Sequence, residues 1–135
     1  MKRTMIILLV VLLTITMAVP AAATTEENII QPKWSYFTAI TANLDINWLG
    51  VASFSGSAQV NGAYTVKTVV YLRQYKDGQW TTLKSVSSTS VSTCGAEGRL
   101  AVESGCTYQA YVIAYVYDAN GNVLETISYA DTVTY

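Results

Sequence analysis

The sequence contains no histidine, the side chain that most often moves protons in enzymes at neutral pH. This absence excludes a Ser-His-Asp triad, a Cys-His pair and most zinc sites, because all of them use an imidazole. Glycoside hydrolysis needs only a pair of carboxylates. The aspartates, however, are scattered over expected turns and outward-facing positions, at Asp45, Asp77, Asp118 and Asp131. We therefore expect no enzymatic activity, no metal and no cofactor.

Long apolar runs are also scarce, and the one present stands near the start of the chain. Lys2 and Arg3 precede an apolar run over 5–19, and Pro20 and three alanines follow it. This three-part pattern is typical of a secretory signal peptide, and the run is shorter than the roughly 20 residues of a membrane-spanning helix. We predict a signal peptide over 1–23, an extracellular location, and no stable membrane anchor after cleavage.

Charged residues make up only 13% of the sequence, and no basic run occurs outside the predicted signal peptide. Six basic and nine acidic residues follow residue 23, so the exported chain is weakly acidic. Such a domain binds the phosphate backbone poorly, and we expect no nucleic-acid partner. The exported length suits one domain with a single core. Mixed polar residues over 24–35 predict a leader arm, which leaves 36–135 for the domain.

Only two cysteines are present, Cys94 and Cys106, and they lack the C-x-x-C spacing of redox and metal sites. Because exported proteins meet an oxidising environment, we predict a Cys94–Cys106 disulfide, with two free thiols as the alternative. On the chain-entropy model, closing a loop of this length would stabilise the fold by about 3 kcal/mol.

Alternation of apolar and polar residues is the dominant pattern after residue 36, and no helical periodicity occurs there. About seven short strands are separated by turn signals at 61–62, 77–78 and 118–122. The last of these begins like a calcium loop, but Tyr129 stands where an EF-hand needs its acidic residue. Residues 85–93 are Ser, Thr and Val, which predicts an edge strand or a crossing loop. We predict an all-β fold, a single antiparallel β-sandwich.

The clearest hairpin joins residues 66–75 to 80–86 through Asp77-Gly78, a pair that suits a type I′ turn. A two-residue loop predicts the register, with Tyr75 opposite Trp80 and Leu72 opposite Leu83. If both leucines face the core, the outer face carries the alternate residues of the hairpin: Tyr71, Arg73, Tyr75, Trp80, Thr82 and Lys84.

Apart from Gln109, residues 108–117 are apolar or aromatic at both alternating sets of positions, which indicates a central strand. The stretch resembles fibronectin type III and immunoglobulin-like domains at five positions: Leu100, Gly105, Tyr108, Val112 and Ala114. The resemblance implies that this strand is strand F and that Leu100, Gly105 and Tyr108 are structural residues. It also implies a tyrosine corner, in which the Tyr108 hydroxyl bonds to the backbone upstream.

More of the chain resembles an uncharacterised family of short secreted proteins from Gram-positive bacteria. The similar parts are the predicted signal peptide, residues 30–34, the hairpin at 77–82 and residues 105–123. This resemblance implies export and supplies no catalytic residues.

Tyrosine and tryptophan concentrate on the predicted outer face. If strand 66–75 lies beside the central strand, as C lies beside F in these sandwiches, six rings share that face: Tyr71, Tyr75, Trp80, Tyr111, Tyr115 and Tyr117. Such rings can stack on sugars or anchor a protein partner. The alternative is that they are cross-strand pairs that only stabilise the sheet.

From this face we expect a non-enzymatic module that binds an extracellular glycan or a surface protein. Two alternatives stay open. The first is a structural, self-assembling protein that uses the same face or the edge at 85–93, and the second is a secreted antagonist of competing cells.

Overall fold

The computed structural model describes residues 33–135, which form seven antiparallel strands and no helix. The strands are β1 (Phe37–Ile46), β2 (Val51–Val60), β3 (Thr65–Lys76), β4 (Gln79–Val91), β5 (Thr93–Ala101), β6 (Thr107–Tyr117) and β7 (Val123–Thr134). The prediction of an all-β domain is confirmed. The predicted signal peptide and the leader arm before residue 33 lie outside the described residues. No helix within residues 33–135 has the length and apolarity needed to cross a membrane.

The strands form two sheets, one with the order β1-β2-β5 and one with the order β4-β3-β6-β7. Successive side chains of a strand point to opposite faces, so each strand directs one set of residues inward. Phe54 of β2 and Val70 of β3 belong to the same buried cluster as Val112 of β6. The two sheets therefore pack face to face around a shared core, in a sandwich-like arrangement.

Two inward-facing glycines leave space for neighbouring side chains of the core. A Cβ atom built at Gly56 would lie 2.4 Å from a methyl group of Val112, and one at Gly98 would lie 2.6 Å from the Phe54 ring. Both distances are too short for any side chain. Glycine at these positions thus lets larger side chains of the opposite sheet, or of the neighbouring strand, fill the interior.

Strand β6 lies at the centre of the larger sheet and buries its Tyr108 ring completely. The Tyr108 hydroxyl donates to the Glu103 carbonyl at 2.5 Å and accepts from Nε2 of Gln74 at 3.1 Å. The bond to Glu103 is the one that a tyrosine corner makes. Gly105 turns the chain into β6 with φ of 85°. Leu100 packs against the edge of the core.

Carboxylates of β7 cover the free edge of β1. Glu125 accepts backbone N–H bonds from Ser35, Tyr36 and Phe37 at 2.8–3.2 Å, and Asp131 accepts one from Leu44 at 2.8 Å. A sheet edge otherwise presents unpaired backbone groups that attract other strands. These two side chains therefore join the sheets along one side and shield an edge strand.

A single residue, Ser92, joins β4 of the larger sheet to β5 of the smaller sheet, and it has φ of 67°. Its N–H donates to the Tyr64 carbonyl, its carbonyl accepts from Val60, and its hydroxyl donates to the Gly62 carbonyl at 2.7 Å. These bonds hold an uncommon backbone conformation in place. The segment 85–93 is thus mostly strand, since β4 continues to Val91 before the crossing.

The predicted register of the β3–β4 hairpin is correct near the turn and wrong beyond it. Tyr75 lies opposite Trp80 and Arg73 opposite Thr82, but Leu72 lies opposite Lys84 and Tyr71 opposite Ser85. A β-bulge inserts Leu83 as an extra residue, which the turn type does not encode. Leu83 is consequently 38% exposed rather than buried. Lys84 leaves the predicted outer face and donates from Nζ to the Arg99 carbonyl of β5 at 2.9 Å.

The predicted Cys94–Cys106 disulfide is not formed, and both thiols are free. Cys94 stands at the start of β5, whereas Cys106 follows the end of that strand. The seven residue steps of extended chain from Cys94 to Ala101 span about 23 Å. A disulfide requires Cα atoms within about 7 Å. The two cysteines therefore lie near opposite ends of the domain and belong to different parts of the core.

Replacing Gly56 with alanine should lower the free energy of unfolding by about 1–3 kcal/mol, because the added methyl group overpacks the core against Val112. Urea denaturation measures the change. Gly95→Ala on the adjacent strand is the control, since a Cβ there makes only ordinary contacts. Equal losses from the two variants would contradict the close approach of the sheets at Gly56.

Acid should weaken the link between β1 and β7. Burial opposes ionisation of Glu125, but the N–H groups of residues 35–37 outweigh it and lower the pKa of this carboxyl from its ordinary 4.5. The stabilisation is then present above that value and is lost as the pH falls through the folded-state pKa. We expect the unfolding free energy of Glu125→Gln to depend less on pH below about pH 5 than that of the wild type.

Denaturation curves at a series of pH values test this expectation. Glu97→Gln is the control, because the Glu97 carboxylate is exposed and bonds to no other described residue. If Glu97→Gln reduces the pH dependence of the unfolding free energy below about pH 5 as much as Glu125→Gln does, the role assigned to Glu125 is wrong.

Candidate functional site

The outer face of the four-stranded sheet carries the candidate site. Tyr71 lies opposite Tyr111, and Tyr75 lies opposite Trp80, so neighbouring strands bring their rings together. The period of two along β3 and β6 turns the alternate residues of these strands into the core, which leaves the aromatic set outside. Cross-strand neighbours on one face stand about 4.5–5.5 Å apart at Cβ, close enough for rings to touch.

Four of the six predicted rings form one continuous array with Arg73. We call these five residues the aromatic ladder: Tyr71, Arg73, Tyr75, Trp80 and Tyr111. Tyr75 and Trp80 have ring centroids 5.1 Å apart, and Tyr71 and Tyr111 have centroids 6.4 Å apart. The Arg73 guanidinium lies between these pairs, 5.3 Å from the Trp80 centroid and 5.1 Å from the Tyr111 centroid.

Arg73 carries a positive charge that no carboxylate of the described residues neutralises. Its Nη1 donates a long 3.4 Å bond to Oε1 of Gln109. Within residues 33–135 the one ion pair joins Lys76 and Glu103 elsewhere on the surface. The guanidinium therefore keeps donors for a ligand, and the flanking rings hold it in place through cation–π contacts.

The ladder is accessible mainly at the end nearest the β3–β4 turn. Tyr75 is 43% exposed and Trp80 is 37% exposed, while the other three members are partly buried. The four residue steps from Tyr71 to Tyr75 correspond to about 13 Å along the strand. The surface is thus a shallow strip with the length of a short oligosaccharide or a few residues of peptide.

Tyr115 and Tyr117 do not join the ladder. Their rings stack on each other, with centroids 6.4 Å apart and an interplanar angle of 29°. The aliphatic row of Val69 and Ile113 separates them from Tyr71 and Tyr111. The six predicted residues therefore form two groups, of four rings and of two.

The sequence pattern predicts Arg73 on the outer face, but Arg73 is not among the six predicted site residues. The sequence contains part of the signal for this residue, because the hairpin register places Arg73 between two aromatic positions on β3. The contact with Tyr111 depends on the pairing of β3 with β6, which no local pattern encodes.

Sequence reasoning also missed a groove on the outer face of the three-stranded sheet. It has a volume of about 590 Å³, and its polar lining comes from all three strands and from Asp131 of β7: Asn43, Asp45, Ser53, Ser55, Glu97, Arg99 and Asp131. The alternation of polar residues in β1 and β2 was visible, but it reads equally well as an ordinary solvated face. Within residues 33–135, no aromatic ring outside the core lines this groove.

The carboxylates with shifted pKa values serve the fold. Backbone N–H bonds from Asn122 and Asn120 lower the pKa of Asp118, which closes the β6–β7 turn. The hydrogen bond from Lys76 lowers the pKa of Glu103. Among residues 33–135 no group of three or more His, Cys, Asp or Glu side chains is placed to hold a metal ion.

Replacing Arg73 with glutamine should lower the free energy of unfolding by about 1–2 kcal/mol, because it removes two cation–π contacts at a partly exposed site. Lys67→Gln is the matched control, since Lys67 lies on the same strand and face without such a contact to the ladder. Thermal and urea denaturation measure both variants. A loss no greater for Arg73→Gln than for Lys67→Gln would show that the guanidinium does not bind the rings.

Comparison of the chain with models of known protein families gave no match, and comparison with curated proteins gave no match either.

Proposed function

We propose that this protein is a secreted, non-enzymatic module that binds an extracellular saccharide through the aromatic ladder. The observation that carries the proposal is the Arg73 guanidinium between the rings of Trp80 and Tyr111. Rings of this kind stack on the C–H faces of sugars and bring a large area at a low entropy cost. A charged donor between two rings adds directional hydrogen bonds to that apolar surface.

The chemistry of the ladder favours an acidic saccharide. A planar guanidinium matches a carboxylate with two parallel hydrogen bonds, and Arg73 pairs with no carboxylate among residues 33–135. The neighbouring residues Gln109, Thr107 and Thr132 add neutral donors and acceptors beside it. A chain of uronic acids presents both the ring faces and the carboxylates that this arrangement would bind.

The strand order supports a fibronectin type III-like identity more than a constant-type immunoglobulin one. β3 lies beside β6, as strand C lies beside strand F. The fourth strand joins the β3-β6-β7 sheet, whereas in the constant-type immunoglobulin fold it joins the other sheet. Domains of this architecture are common on cell surfaces, which agrees with the export that the N-terminal sequence predicts.

The roles of Glu125, Asp131 and Asp118 support binding at the ladder over catalysis there. Glu125 and Asp131 accept backbone bonds from β1, and Asp118 caps its own turn. A catalytic pair would need carboxylates that face a substrate together at about 5–10 Å. The ladder itself carries no carboxylate.

Titration by isothermal calorimetry tests the proposal, with oligomers of about six galacturonic acid residues as the probe and uncharged cello-oligosaccharides for comparison. We expect binding of the acidic oligomer that weakens at high salt. Tyr75→Ser should weaken it at least about tenfold, since a stacked ring is a central contact. Arg73→Gln should reduce the preference for the acidic oligomer.

Tyr129→Ser is the matched control, because Tyr129 is an exposed tyrosine outside the ladder. It should leave the affinity unchanged, and so should Tyr115→Ser in the separate pair. Absence of binding to both probe classes would overturn the saccharide proposal. Equal weakening by Tyr75→Ser and Tyr129→Ser would move the site away from the ladder.

A further inference from the structure

The two sheets have four edge strands, β1 and β5 in one sheet and β4 and β7 in the other. Every edge presents unpaired N–H and C=O groups that another strand can bind, and monomeric proteins shield such edges. The shielding of each edge therefore indicates whether the protein has a partner there.

Three of the four edges are shielded. Glu125 and Asp131 bond to β1 and also place two acidic side chains on β7, where a charge on an edge strand discourages pairing. On β5, the Lys84 ammonium donates to the Arg99 carbonyl at 2.9 Å, and the strand itself carries two charged residues, Glu97 and Arg99.

The fourth edge differs from the others along residues 85–91 of β4. Each of these residues is Ser, Thr or Val, so the segment has no charge and no proline. The bulge and Lys84 both precede it, and its pairing with β3 is regular from Ser85 to Val91. In an antiparallel ladder alternate residues direct their backbone groups away from the paired strand. Those groups of β4 bond to no other strand in the described part of the chain.

We propose that residues 85–91 pair antiparallel with the same segment of a second copy of this chain. When a strand pairs antiparallel with a copy of itself, each residue lies opposite a residue of the same sequence read in reverse. Here the reversal sets small hydroxyl and valine side chains opposite each other, and Ser and Thr pairs across strands are favourable. No like charges meet in this arrangement. The segment offers no distinctive side chain by which a different protein would be selected.

Pairing about a two-fold axis would join two four-stranded sheets into one continuous sheet. The axis would stand perpendicular to the sheet, so both aromatic ladders would lie on the same face. Two sites on one rigid surface would bind a repeating polymer more tightly than one site does. The pairing does not depend on the proposed saccharide site, and it is tested without any ligand.

Sedimentation velocity of the protein purified from cells expressing the full chain, in the presence of a reductant, tests the pairing over a range of concentrations. We expect a reversible dimer in the wild type. Ser87→Lys should raise the dimer dissociation constant at least tenfold, because it introduces like charges at the paired edge. Val91→Lys, at an exposed position of the same segment, should do the same.

Ser128→Lys is the matched control. Ser87 and Ser128 are exposed serines on the two edge strands of the same sheet, and their partners Val69 and Ile113 are paired with each other. Ser128→Lys should dimerise like the wild type. A wild type that stays monomeric at millimolar concentration would overturn the proposal. So would a dimer that Ser128→Lys weakens as much as Ser87→Lys does, or one that both β4 variants leave intact.

Discussion

The contact between Gly56 of β2 and Val112 of β6 sets the distance between the two sheets, and the rest of the domain depends on it. Because a Cβ at position 56 would overlap a Val112 methyl group, the inner faces can interlock without a gap. β6 is then buried on its inner face along its length, and it aligns β3 and β7 on its two sides. The outer face of the larger sheet is positioned by the same alignment.

Hydrogen bonds between the sheets provide an orientation that apolar packing alone does not provide. The core attracts the sheets without a preferred orientation, since the hydrophobic effect is non-directional. Directional bonds occur along both sides of the domain. Glu125 and Asp131 join β7 to β1, and on the other side Lys84 and Thr68 reach from the larger sheet to carbonyls of β5. The bonds of Glu125, Asp131 and Lys84 also shield backbone groups at sheet edges, and the edge at 85–91 has no such bond among the described residues.

The aromatic ladder results from the register in which the strands pair. Tyr75 and Trp80 meet because a two-residue turn joins β3 to β4, and Tyr111 reaches Arg73 because β6 lies on the other side of β3. The bulge at Leu83 lies just beyond Thr82, so the register is preserved in the part of the hairpin that carries the ladder. The same bulge turns Lys84 inward toward β5, which removes a second cation from the outer face. Arg73 is left as the charged group among the rings.

The sequence by itself determined the all-β class, most strand positions and the turn at Asp77-Gly78, where both residues have positive φ as a type I′ turn requires. These features are local, because a period of two and a turn residue act through near neighbours. The tertiary structure decided the position of the bulge, the separation of Cys94 from Cys106, and the division of six aromatic residues into a ladder and a pair. Each of these depends on which strands lie side by side and on what they pack against. Contacts between residues far apart in the chain determine that arrangement, and no short stretch of sequence encodes them.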